Sequence, residues 1–127
     1  MRDVVVALPS SVGLKELAEV LADSPFEVVG QPDEHLAVRL DDEVVQFALN
    51  NSLSEHYEEP EELAWLAAAG REPNFFLVTF KSTKALARVL EWTVNRPDAC
   101  VDNDFGIIES GRDFVQRFKE APNWDWV

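Results

Sequence analysis

The chain has 127 residues, 46% of them apolar, and a formal charge of −13 from 24 acids and 11 bases. That apolar content excludes a disordered chain, the length fits a single domain over residues 1–127, and the acidity argues against nucleic-acid or anionic-membrane partners. One cysteine, Cys100, excludes an intrachain disulfide, and Val4–Leu8 is too short for a signal-peptide core, so a cytoplasmic protein is expected.

Val4–Leu8 is an unbroken apolar run and reads as a buried strand; Pro9-Ser10-Ser11 breaks it and offers hydroxyl caps for a helix. Leu14, Leu17, Ala18 and Leu21 follow at helical spacing, and Ser24-Pro25 stops that helix. Phe26–Gly30 and Leu36–Leu40 read as strands, and Asp41-Asp42 turns the second of them into Val44–Asn50 as a hairpin. Pro60 suits the first turn of a helix running to Gly70, with Glu61 and Glu62 at its positive end. Phe75–Phe80 is the next apolar strand. Ser82-Thr83 caps a helix carrying Leu86, Val89, Leu90 and Thr93, and Arg96-Pro97 ends it. Ala99–Val101 and Gly106–Glu109 are short strands around an Asp102-Asn103-Asp104 turn. Ser110 with Asp113 predicts a capping box for a last helix that buries Phe114, Val115 and Phe118.

These elements predict an α+β fold, a mainly antiparallel sheet with helices on one face. Leu17-Ala18-Glu19-Val20-Leu21 is echoed by Leu86-Ala87-Arg88-Val89-Leu90, which suggests duplicated ferredoxin-like βαββα units over about 1–70 and 71–127. Such an echo also arises by chance in apolar helices. Val4–Leu8 and Phe75–Phe80 are apolar on both faces and are expected at the sheet centre. Their second face then needs a cover, either the closing Asn123-Trp124-Asp125-Trp126-Val127 segment or a second copy in a homodimer. Trp65 and Trp92 fall on helix patterns and read as core or core edge.

The charge is regional. From Glu16 to Gly70 there are fourteen carboxylates and one base, Arg39. The candidate partner-binding residues are Asp33, Glu34, Asp41, Asp42, Glu43, Glu55, Glu58, Glu59, Glu61 and Glu62, which as a face would attract a basic protein. The competing reading is a solvated surface. A metal site on His56 and its carboxylates would need ligands converging from fixed elements, which a solvated loop seldom supplies, so no metal or cofactor is expected. Asp98, Cys100, Asp102 and Asp104 alternate ahead of Gly106, but Cys100 takes a ligand position and Asp113 stands where a calcium loop has Glu. A hairpin turn accounts for them better. Cys100, between Ala99 and Val101, reads as a core thiol. No glycine-rich phosphate loop occurs, and carboxylate pairs among 24 acids discriminate nothing, so no catalytic residue is assigned and no enzyme is expected.

Size, acidity, a lone cysteine and the closing Val101-Asp102-Asn103-Asp104-Phe105-Gly106 through Trp124-Asp125-Trp126 stretch are similar to the small immunity proteins of bacterial toxin–immunity systems. The resemblance spans about the last quarter of the chain. It implies a tight complex with a cognate toxin whose active site is basic, and carries over no individual functional residue. Two other classes stay open. A ferredoxin-like small-molecule-sensing domain would have a ligand pocket between subunits, and an enzyme would use His35 or His56 buried in a cleft beside carboxylates.

Overall fold

The computed structural model describes residues 2–29, 35–103 and 108–121. Seven strands form one antiparallel sheet: β1 (Arg2–Leu8), β2 (Glu27–Val29), β3 (His35–Leu40), β4 (Glu43–Leu49), β5 (Asn74–Phe80), β6 (Cys100–Asp102) and β7 (Ile108–Ser110). Their spatial order is β2-β3-β4-β5-β1-β6-β7. The fold is α+β, as the sequence predicts. The two strands that are apolar on both faces sit centrally and pair with each other, from Arg2 opposite Phe80 to Leu8 opposite Asn74. Asp41 and Asp42 form the turn of the β3–β4 hairpin, with Leu40 opposite Glu43.

Strand alternation sorts the side chains into two layers. Val4, Val6 and Leu8 of β1, Phe76, Val78 and Phe80 of β5, and Phe47 of β4 share one face and are all fully buried. There they meet three helices: α1 (Leu14–Ala22) through Leu17 and Leu21, α3 (Thr83–Thr93) through Leu86 and Leu90, and α4 (Gly111–Glu120) through Phe114 and Phe118. Each such Leu or Phe contributes roughly 1.5–3 kcal/mol by leaving water. The caps follow local chemistry. Ser82 Oγ accepts from Ala85 N and Ser110 Oγ from Asp113 N, both at 3.2 Å. At α1 the cap is Gly13, whose N–H donates to Glu16 Oε1 at 2.8 Å, and Ser10 and Ser11 stay in the preceding turn. The Glu16 carboxylate reaches back to the N–H of the cap residue itself, and the expected hydroxyl cap is not formed.

The opposite face of the central strands presents Val5, Ala7, Phe75 and Cys100. It is covered by the chain that crosses from β4 to β5: a 3-10 helix (Asn51–His56), Tyr57, α2 (Pro60–Leu66) and a 3-10 turn (Ala67–Ala69). Tyr57, Leu66 and Ala69 are buried there, with Leu53 and Trp65 packed beside them. Gly70 closes the crossing at φ 102°, a conformation that costs glycine little. Three helices thus share one face, and α2 supplies much of the cover that the sequence reading sought from the Trp124–Trp126 segment, which lies outside the described residues. The expected duplication is not confirmed. Three strands follow α1 but two follow α3, and the helices closing the two halves lie on opposite faces. Trp92 is also not core: it is 41% exposed, one position off the buried Leu86–Val89–Leu90–Thr93 stripe of α3. Among the described residues, no helix is long and apolar enough to cross a membrane.

Candidate functional site

The predicted acidic residues separate into two groups. Asp41 and Asp42 are exposed at the hairpin tip, where Asp41 adopts φ 55° and its carboxylate lies 3.9 Å from Arg88 of α3. Glu43 accepts a hydrogen bond from Ser82 Oγ at 3.1 Å. This group leans toward the face of the three packed helices. Glu55, Glu58, Glu59 and Glu61 are exposed on the crossing segment, on the other side of the sheet, with Glu62 half-buried among them. Asp33 and Glu34 lie outside the described residues.

Under the crossing segment is a hollow of about 350 Å³. Val5 of β1, Leu77 of β5 and Leu53 give it an apolar floor; Asp3, Glu62 and Asp102 bring three carboxylates to its walls, beside His56 and Tyr57. None of its lining residues is Lys or Arg. Local structure places each group. The two-residue period of β1 puts Asp3 on the face of Val5, and Asp102 on β6 shares that face with Cys100. Tyr57 follows the 3-10 helix, its ring stacked on Phe75 at 5.7 Å and its hydroxyl donating to Asp102 Oδ2 at 2.8 Å. Glu62 Oε1 accepts from the Glu59 N–H at 3.3 Å, which holds it at the first turn of α2. Farther along the same face, Arg39 pairs with Glu27 at 3.4 Å.

His35 and His56 are both exposed, so neither meets the condition set for acid–base chemistry, burial in a cleft. Cys100 is a core residue, fully buried, with Sγ 3.4 Å from the Trp65 carbonyl that accepts its hydrogen bond. Burial pushes its thiol up from 9.0 to about 11, which suppresses the nucleophilic thiolate. The Asp98 carboxylate is engaged by Arg96 through Nε to Oδ1 and through Nη2 to Oδ2 at 2.8 Å, which holds it below the usual carboxylate range. Among the described residues, no three His, Cys, Asp or Glu side chains are grouped to hold a metal ion.

Asp3, Tyr57 and Asp102 were missed as site residues. The available signals were the apolar/acid alternation Asp3-Val5 within β1 and the Cys100–Asp102 spacing in β6, both of which put a carboxylate on the second face. No protein-family model, curated protein or solved structure matches this chain.

Proposed function

We propose that this chain is a non-catalytic binding protein of the cytoplasm, an immunity-type inhibitor that docks a basic protein such as a cognate toxin and neutralises it. The observation that carries the reading is the crossing segment: Glu55, Glu58, Glu59 and Glu61 exposed together above a hollow with three further carboxylates and no Lys or Arg in its lining. Carboxylates held on one short, defined stretch sum to a local negative potential that raises the encounter rate with a positive patch. Such a field reaches only about 8–10 Å at physiological salt, so it favours partners that close on this face.

The test is affinity capture from the native host at low salt, with the wild-type chain and with Glu55→Gln, Glu58→Gln and Glu61→Gln combined. The expected result is a retained basic protein, encoded beside this chain, that the triple variant captures poorly. Its association rate should fall at least about tenfold between 10 and 150 mM salt. A captured partner whose association rate is flat with salt overturns the reading.

A further inference from the structure

We infer that the hollow under the crossing segment is the receptor for one basic side chain of the partner, a lysine or arginine inserted between Asp3, Tyr57 and Glu62. This rests on the reading of the chain as a binder of basic proteins and assigns the contact that gives that binding its specificity. The exposed glutamates act at a distance and select only for charge. The hollow is different, because its two kinds of surface match the two parts of a basic side chain. Val5, Leu53 and Leu77 form an apolar floor for the methylene stem, which in both lysine and arginine prefers to leave water. Asp3 and Glu62, from β1 and α2, present carboxylates at the walls for the cationic head.

The hollow is also held in shape before any partner arrives. Val5 and Leu77 of its floor are paired across the two central strands of the sheet, and Leu53 closes it from the 3-10 helix. Its Tyr57 wall is fixed by the stacked Phe75 ring and by the hydrogen bond to Asp102. Preformed walls spare a binding partner the entropy of ordering them. The volume, about 350 Å³, suits one long side chain and is at the lower end for a drug-sized ligand. An acidic side chain would meet like charge at Asp3 and Glu62, and a neutral one would offer them no opposite charge, so the hollow discriminates by charge as well as by shape.

The probe is an acetylated, amidated arginine tripeptide, with the citrulline tripeptide as its uncharged isostere, titrated at 150 mM salt while side-chain NMR signals are followed. Tyr57 is the chain's one tyrosine and His56 one of two histidines, so each signal is readily assigned and His35 on β3 is an internal control. Expected are saturable shifts at Tyr57 and His56, smaller ones at His35, and none with citrulline. Asp3→Asn removes a wall charge, and Leu77→Phe fills the floor without changing charge; each should weaken the probe about tenfold, with melting curves confirming the fold. Glu55→Gln, Glu58→Gln and Glu61→Gln together should weaken it less than threefold at this salt. Weakening by Asp3→Asn but not by Leu77→Phe would put the cation on the rim and overturn the inference. Saturable binding lost in the triple glutamine variant but intact in both hollow variants would overturn it while sparing the proposed function. No saturable response to the arginine tripeptide in the wild-type chain would overturn the inference and leave the proposed function to its own capture test.

Discussion

The Tyr57 hydroxyl donates a 2.8 Å hydrogen bond to the Asp102 carboxylate across 45 residues of chain. It fastens the segment that crosses the second face to β6, at the far side of β1 from the strands the segment connects. A hydrogen bond to a charged acceptor is worth more than a neutral one, and this one sits beside a ring that is itself buried against Phe75. One contact therefore helps hold the crossing segment down and shapes a wall of the hollow.

Tyr57→Phe keeps the ring and its stacking but deletes the donor. It should cost about 1–2 kcal/mol of stability, measured by urea unfolding. In a double-mutant cycle with Asp102→Ala, which removes the acceptor, the coupling should be about 1 kcal/mol or more. A coupling near zero would mean that the two groups are held by their surroundings independently of each other.

Gly111 opens α4 against the end of α3. A Cβ built there would lie 2.0 Å from the Val94 carbonyl oxygen, and the Gly111 N–H donates to the Ala99 carbonyl at 2.7 Å. The Val94 oxygen is backbone and the Gly111 N–H is committed to Ala99, so relief requires moving the start of α4 away from the end of α3. Gly111→Ala should cost about 3 kcal/mol or more. Gly13→Ala is the control: its Cβ would meet only the Glu16 carboxylate at 3.2 Å, the end of a side chain that can shift by a few tenths of an ångström, and a change below about 1 kcal/mol is expected. Similar losses at the two positions would contradict the close approach.

How far the sequence reveals this fold depends on the range of the forces involved. The central placement of β1 and β5 was legible because a strand buried on both faces has no polar alternation to hide. The Asp41-Asp42 turn was legible from local chemistry. The face taken by α2 was not: Leu66 and Ala69 would pack equally well on either side of a sheet, and only the unfilled apolar surface of Ala7, Phe75 and Cys100 decides it. Trp92 falls on a helix pattern and reads as core or core edge, whereas its position one residue off the α3 stripe leaves it 41% exposed. The acidic set was visible as composition, but its division was not. Glu43 and Asp41 are drawn to Ser82 and Arg88 on one side, while Glu55–Glu62 ride the crossing segment on the other. The hollow depends on Asp3 and Asp102, about a hundred residues apart in the chain, and no local pattern joins them.

Cys100 gives a prediction for alkaline pH. Its folded thiol is raised from 9.0 to about 11 by burial, so the folded state holds the neutral form more strongly than the unfolded chain does. The stabilisation is therefore complete below about pH 9 and is lost as pH rises through 9 to 11. Melting temperature should decline over that window, and Cys100→Ala should flatten the decline. A thiol reagent at pH 8 should modify the native protein slowly and the urea-unfolded protein at the ordinary rate. Fast native modification would mean that the Cys100 thiol is reached without unfolding.

The crowding of acids makes the response to salt and mild acid a test of the whole charge distribution. Glu55, Glu58, Glu59 and Glu61 repel one another at short range on one segment, while ion pairs such as Arg39–Glu27 and Arg88–Asp41 are solvent-exposed. Exposed pairs contribute only about 0–1 kcal/mol each, so salt should relieve more repulsion than it weakens attraction. Moderate salt is expected to raise the melting temperature. Lowering pH from 7 toward the isoelectric point near 4.4 should do the same, because protonation begins to discharge the repelling carboxylates. Asp98 sets a lower limit to that gain. Its carboxyl is held down by Arg96, so its contribution is intact above the ordinary carboxylate range near 3.8 and is lost as pH falls through its lower folded value. Melting temperature against pH should therefore pass through a maximum on the acid side of neutrality, and Asp98→Asn should reduce the loss below it. A melting temperature that drops on adding moderate salt would overturn this balance and show that attraction between charges outweighs their repulsion in the folded chain.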